Sequence, residues 1–176
     1  MIRELHVDDM NEWLPTLRAG EQIALSGVVY TARDAVHKKW MKSLECGEEL
    51  PIDLKGAVIY YTGPTPAPHG RVIGSCGPTT SSRMDVFYPS LAAHGLRLTI
   101  GKGNRSTIVT EAIIKYGGAY LCAIGGTGAL YASTVTACET VAYEELGCES
   151  LKKLTLLRMP LFVGIDAQGN TIFPTL

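Results

Sequence analysis

Short runs rich in β-branched and aromatic residues alternate along this chain with stretches of helical period, and glycine marks nearly every junction. That alternation constrains the fold more than any other feature. Consecutive strands joined through helices pair in parallel, and an α/β layered architecture with a mixed, largely parallel sheet follows. The first helical stretch opens at Asp9-Met-Asn-Glu12, which has the form of a capping box. Met10, Trp13, Leu14 and Leu17 follow at i, i+3, i+4 and i+7, and Gly20 is a plausible stop. Residues 22–32 read as a strand, and 34–44 as a helix with Val36, Trp40 and Leu44 on its apolar stripe, ended by Gly47. Further strands are expected at 57–62, 71–75, 96–100, 119–124, 154–157 and 160–165. Helices are expected around Met84, Phe87 and Leu91, then from Ser106 through Ile108, Ala112, Ile113 and Tyr116 to Gly117-Gly118, and from Gly126 towards Leu146. Asp166-Ala-Gln-Gly169-Asn170 reads as a hairpin turn, so part of the sheet is antiparallel. With no repeat, low-complexity tract or Gly/Ser linker, residues 1–176 read as one domain.

Charge and composition narrow the function classes. Sixteen basic against seventeen acidic residues leave no basic excess for neutralising phosphates, which argues against nucleic acid as partner. No apolar run approaches the roughly 20 residues of a membrane helix, and the densest, 119–137, is broken by Gly125, Gly126 and Gly128. The N-terminal residues lack a secretory h-region. Cys46, Cys76, Cys122, Cys138 and Cys148 are odd in number and form no C-x-x-C pair, so they read as reduced thiols of a cytoplasmic protein, each a small buried hydrophobe. Hydrophobic residues make up 46% of the chain, which suggests strands buried on both faces or a surface covered by a partner.

Two strand-to-helix junctions carry candidate chemistry. In Gly74-Ser-Cys-Gly-Pro-Thr-Thr-Ser-Ser-Arg83, Gly77 permits an unusual turn and Pro78 suits a helix start. Free backbone N–H groups there, with the hydroxyls of Thr79, Thr80, Ser81 and Ser82, would suit an anion, and Arg83 adds a fork that matches a carboxylate. A capped helix with a surface arginine is the plainer alternative. In Gly101-Lys102-Gly103-Asn104-Arg105-Ser106 the glycines let backbone and ammonium approach a ligand, without the spacing of a phosphate-binding P-loop. Both junctions, and Thr31-Ala-Arg33-Asp34, fall at the carboxyl ends of strands, where ligands of open α/β sheets bind. Gathering Arg33, Arg83 and Lys102 there points to a small polycarboxylate. His37 lies one turn after Arg33 and either supports the site or is a plain helix residue. Gly125-Gly126-Thr-Gly128 reads as a close helix–strand contact rather than a nucleotide loop, because Tyr131 stands where the last glycine would fall. The histidines lack metal-ligand spacing, and no G-x-S-x-G elbow is present.

Thr31-Ala-Arg-Asp-Ala-Val-His37, Tyr60-Tyr-Thr-Gly-Pro-Thr-Pro66, Gly77-Pro-Thr-Thr-Ser-Ser-Arg-Met-Asp85 and Gly101-Lys-Gly-Asn104, with Leu146-Gly-Cys-Glu149 and Val163-Gly-Ile-Asp-Ala-Gln-Gly169, resemble the β subunit of iron–sulfur class I fumarate hydratases over nearly the whole chain. The C-terminal domain of single-chain class I fumarases and the tartrate dehydratase β subunit are similar. The resemblance implies a swivelling β/β/α domain and a hydro-lyase that interconverts fumarate and L-malate. It further implies a four-iron, four-sulfur cluster carried by a partner α subunit, none bound by this chain alone, in a heterodimer or an α2β2 heterotetramer. Carried over by position, Arg33, Arg83 and Lys102 would bind substrate carboxylates, and Thr79 and Thr80 would reach the reacting carbons, Thr79 as proton-abstracting base. Asp34, His37 and Asn104 would support them. A tartrate dehydratase or mesaconate hydratase β subunit, or a stand-alone dicarboxylate-binding module, remains the alternative.

Overall fold

A computed structural model describes residues 2–174. β1 (Arg3–His6) leads through a 3-10 turn, Val7–Asp9, into α1 (Met10–Trp13) and a second 3-10 turn, Leu14–Thr16. The first helix is therefore three short pieces rather than one, and Asp9 makes no side-chain cap hydrogen bond. Pro15 lies in the second turn. Met10, Trp13, Leu14 and Leu17 are nevertheless all buried, as their spacing requires.

β2 (Gln22–Thr31) feeds α2 (Asp34–Glu45), which buries Val36, His37 and Trp40. Burying an apolar side chain of that size stabilises by about 1.5–3 kcal/mol. β3 (Val58–Tyr60) is followed by a long loop. Residues 71–75, expected as a strand, are irregular here, and Thr65 instead donates its backbone N–H to the Ser75 carbonyl across the proline loop. The helix expected around Met84 is broken into a 3-10 turn, Ser81–Met84, and α3 (Tyr88–Ala93). Pro89 has no N–H to give the preceding turn, so one helix cannot run through.

β4 (Leu98–Gly101), α4 (Thr107–Tyr116) and β5 (Ala119–Cys122) follow, and Gly117 ends α4 in the left-handed conformation at φ 67°. On α4 the buried side chains are Val109, Ala112 and Ile113, while Ile108 faces solvent. α5 is short (Gly128–Ser133) and does not run to Leu146. β6 (Val135–Ala142) occupies that stretch, as its β-branched Val135, Thr136, Thr140 and Val141 favour. The last two expected strands are a single one, β7 (Leu151–Ile165). Its apolar phase flips from Leu154 and Leu156 to Met159, Leu161 and Val163. A bulge sits at the flip, with Arg158 at φ 55° and the register against β2 shifting between Leu25 and Gly27.

The sheet runs β1-β2-β3-β4-β5-β7-β6, and a further β2–β7 pairing closes β2, β3, β4, β5 and β7 into a ring. The pairings β1–β2, β2–β3, β3–β4 and β4–β5 are parallel, and the three made by β7 are antiparallel. The fold is α/β, with a mixed sheet and flanking helices. Alternate strand residues enter two apolar clusters. Val58, Tyr60, Leu98, Ile100 and Leu121 join one, with α1; Ile59, Tyr61 and Tyr120 join the other, with α2, α3 and α4. Both faces are buried, which accounts for the continuous apolar runs. Asp166 closes the chain's last turn by accepting the backbone N–H groups of Ala19, Gln168 and Asn170. No described helix is long and apolar enough to cross a membrane.

Candidate functional site

Because β2, β3 and β4 run parallel, their carboxyl ends lie at one rim, and the chain dresses that rim with three loops. Past Tyr60 and Gly101, residues 79–81 wedge between the ends of β3 and β4. Thr79 donates its N–H to the Tyr61 carbonyl at 2.6 Å and its carbonyl accepts from Lys102 N–H at 3.4 Å, while Ser81 N–H donates to the Lys102 carbonyl at 2.9 Å. Thr80 and Lys102 form a parallel bridge. Thr79, Thr80 and Lys102 are thus brought together by backbone hydrogen bonds, the strongest local constraint available to a loop.

These bonds correct one expectation. The 77–83 segment is not a helix N-terminus with free amides: the N–H groups of Thr79 and Ser81 are used within the rim, and only one 3-10 turn follows. What it offers solvent are the hydroxyl-bearing Thr80 and Ser82, exposed, and Thr79, half-buried. Ser81 is fully buried. The Tyr120 hydroxyl donates to the Gly103 carbonyl at 2.9 Å, which leaves Ser81 Oγ to donate to Tyr120 at 2.8 Å. Gly101 is required beneath it, because a Cβ there would stand 1.9 Å from Ser81 Oγ.

Arg33 precedes α2 and reaches the same rim. Its guanidinium packs on Gly63, where a Cβ would come within 3.1 Å of Nη1. From Gly63 the contact continues through the neighbouring Thr62, whose hydroxyl donates to the Gly77 carbonyl at 2.7 Å, into the loop that bears Thr79. Arg83 is not free: its Nε and Nη2 donate to both oxygens of Asp34, at 3.1 and 2.8 Å. Arg33 Nη2 lies 3.9 Å from the same carboxylate, and Arg33 Nε lies 3.5 Å from Glu149. Glu149, Arg33, Asp34 and Arg83 therefore form a row of alternating charge. Lys102, half-buried, makes no ion pair among the described residues.

His37 supports Arg33 from below. Its backbone N–H and its Nδ1 both meet the Arg33 carbonyl, at 3.0 and 2.8 Å. A carbonyl only accepts, so Nδ1 carries the proton. The ring is packed among Trp40, Tyr61 and Phe87. Burial pulls its pKa down to about 4, against the opposing pull of that carbonyl, and the imidazole is neutral at physiological pH. Asn104, exposed, turns its Oδ1 back to its own loop and accepts from Arg105 N–H at 2.7 Å.

Residues to which the sequence assigns no role hold the two loops together. Asp85, at the end of the Gly77–Asp85 motif, is buried and accepts Arg105 Nε at 2.5 Å and Ser106 N–H at 2.6 Å. The Arg105 side chain is wholly buried among the rings of Tyr61, Tyr88 and Tyr120. Burial opposes its charge, but Tyr61 and Asp85 outweigh it and push its pKa up. No spacing rule would have paired two residues twenty positions apart, although each stands inside a quoted motif. Glu149 ends the Leu146–Glu149 stretch, where the sequence likewise assigns it no role.

Among the described residues no three His, Cys, Asp or Glu side chains are grouped to hold a metal ion. Cys76 and Cys122 are buried, and burial pushes their thiols up to about 12 and 11; Cys138 is half-buried, whereas Cys46 and Cys148 are exposed, unlike the buried hydrophobes expected. Gly128 makes a close contact, but with a loop rather than the strand expected: its Cα lies against Gly77 and its carbonyl accepts from Cys76 N–H at 3.2 Å. The cleft of about 410 Å³ between Leu44, Leu50, Ile52, Leu54 and His94 shares no residue with the rim, which is open to solvent at Thr80, Arg83 and Asn104.

A family model described as the fumarase C-terminus matches residues 2–176. Fumarate hydratase 2 of Leishmania major is 37% identical over 169 residues, covering 95% of this chain and 30% of that protein. The anaerobic class I fumarate hydratase of Escherichia coli strain K12 is 41% identical over 154 residues, 86% of this chain and 28% of that protein. The chain thus spans under a third of the length of these two relatives. A putative L(+)-tartrate dehydratase subunit beta of Methanocaldococcus jannaschii is 36% identical over 163 residues, 89% of this chain and 84% of that one. With its whole described length inside the match, this chain belongs to the fumarase C-terminus family.

Proposed function

We propose that this chain is the β-type half of a hydro-lyase that hydrates fumarate to L-malate. One observation carries the reading: the wedge whose backbone bonds set Thr79 and Thr80 beside Lys102 at the ends of β3 and β4, with Arg33 and Arg83 on the same rim. The Arg33 guanidinium and the Lys102 ammonium fit the two carboxylates of a C4 dicarboxylate, while Arg83, engaged by Asp34, completes the positive side of the rim. The Thr79 hydroxyl is assigned as the group that moves a proton at the reacting carbon. A hydroxyl is a weak base at neutral pH, so this role requires the cationic surroundings that Lys102 supplies.

Among the described residues no three His, Cys, Asp or Glu side chains are grouped to hold a metal ion. In this reading the iron–sulfur centre belongs, as the family resemblance implies, to a partner α subunit that closes over the rim, in a heterodimer or an α2β2 heterotetramer. When bound, that centre supplies a Lewis acid for the substrate's oxygen. In this reading residues 1–176 form one swivelling β/β/α unit of a cytoplasmic enzyme. The similarity to a tartrate dehydratase subunit that this chain nearly fills favours one second reading, the same machinery acting on tartrate.

The test is anaerobic co-expression with the iron–sulfur partner, followed by assay on fumarate, tartrate and mesaconate. Fumarate should be hydrated by the complex and by neither part alone. Lys102→Met should lower kcat/KM by about thirtyfold, the equivalent of about 2 kcal/mol for a truncated charge partner. Turnover of fumarate by this chain alone, or a Lys102→Met complex as active as the parent, would refute the proposal.

A further inference from the structure

The two arginines of the rim are held in different ways. Arg83 is bonded twice to Asp34 at hydrogen-bond distance, and that fork is fixed. Arg33 meets Glu149 at 3.5 Å, too far for a hydrogen bond, and its buried Nε has no hydrogen-bond partner at all. A buried guanidinium N–H without an acceptor is an uncompensated cost. The carboxylate beside it neutralises its charge but leaves the donor unused.

Glu149 stands on a fixed segment. Its backbone neighbours are anchored: the Thr31 hydroxyl donates to the Ser150 carbonyl at 3.2 Å and accepts from Lys152 N–H at 3.2 Å, two residues before Arg33 on β2. The segment is therefore registered against Arg33, while the Glu149 side chain is about a third exposed to water. Gly147, at φ 59° and ψ −118°, sets the turn that delivers it.

We propose that Glu149 is a built-in stand-in for a substrate carboxylate: it holds Arg33 at the rim in the empty protein and yields to the incoming dicarboxylate, so that it sets the KM of the site. Resting on the dicarboxylate reading above, this adds a specificity-determining residue to it. A carboxylate that bonds Arg33 Nε directly displaces one that does not. An ion pair exposed to this degree is worth a factor of about two to five in an equilibrium. Removing it raises the free energy of the empty site without touching the contacts of the bound one. Such a change appears in KM rather than in kcat.

The experiment compares the co-expressed complex carrying Glu149→Gln or Glu149→Ala with the parent, on fumarate and with succinate as competitive inhibitor. The expected result is a two- to fivefold fall in KM for fumarate, with a parallel fall in the inhibition constant of succinate, in both variants. A role in merely orienting Arg33 predicts the opposite, a raised KM and a raised inhibition constant, and that result overturns the proposal. Unchanged constants in an active complex also overturn it and leave the dicarboxylate reading standing. A parent complex that neither turns over fumarate nor binds succinate overturns both.

Discussion

Replacing Asp85 by Asn tests the joint on which the rim depends. The carboxylate and the Arg105 guanidinium are both out of water, with side-chain exposures of 7% and 0%. Asp85 accepts two donors, Arg105 Nε and the Ser106 backbone N–H. Asparagine has the same size, but one of its two polar atoms is an NH2 and would face one of those donors. The substitution leaves Arg105 buried, charged and unpaired among three tyrosine rings. Breaking a buried pair in this way costs about 3–5 kcal/mol. A domain's stability is about 5–15 kcal/mol. For a chain of this length each kcal/mol lowers Tm by about 2–4 °C, so the fall should be roughly 6–20 °C. Urea titration and calorimetry of the parent and Asp85→Asn chains measure it. The double variant Asp85→Asn/Arg105→Met should recover part of the loss, because the uncompensated charge is gone. A loss below about 1 kcal/mol in the single variant would refute the reasoning, since it would mean that the pair is hydrated.

Two further outcomes follow from the same rim. His37 is held neutral when folded, with a pKa of about 4, against about 6.5 when unfolded. The unfolded chain binds the extra proton first, so this residue's share of stability is complete above pH 6.5 and is lost as pH falls towards 4, about 3 kcal/mol in all. The difference in unfolding free energy between parent and His37→Asn should change across that window and nowhere else; a flat difference would show that the ring is not buried. Gly101→Ala places a Cβ 1.9 Å from Ser81 Oγ and 2.9 Å from the Tyr61 ring, and should cost about 1–3 kcal/mol in denaturant titration. Adding Ser81→Ala should return part of it, and no change in Gly101→Ala would contradict the close packing described.

Much of the fold was legible because burial imposes periodicity. The strand at 22–32 and the helix at 34–44 stand within a residue of β2 and α2, since Val36 and Trp40 had to face the sheet. Where two signals competed, the reading failed. Gly126 to Leu146 reads as one helix, yet β-branched residues carry positions 135–142 of it into β6, which pairs with β7 across the 3-10 turn at Glu144–Glu149. The helix through Met84 overlooked Pro89. The pattern of Leu154 to Ile165 suggested two strands, because a bulge shifts phase as a turn does. For the candidate site, the strand-end rule gathers Arg33, Arg83 and Lys102 at one rim, whereas Thr79 and Thr80 reach it from a segment whose expected strand, 71–75, is irregular, through backbone bonds to Tyr61 and Lys102 that no local pattern announces. The partners of the charges were invisible, because Asp34 with Arg83, Glu149 with Arg33 and Asp85 with Arg105 are set by tertiary packing alone.

The alternating row at the rim has an electrical consequence. Two guanidinium groups opposite two carboxylates cancel, and their fields fall away within a few ångströms of the surface. Lys102 alone, without an ion pair among the described residues, is left to attract a dianion, so around a chain of formal net charge −1 the long-range pull and its dependence on ionic strength are those of a single rim charge rather than of three. Capture by this surface would be a local exchange of one carboxylate for another, decided after contact rather than on the approach.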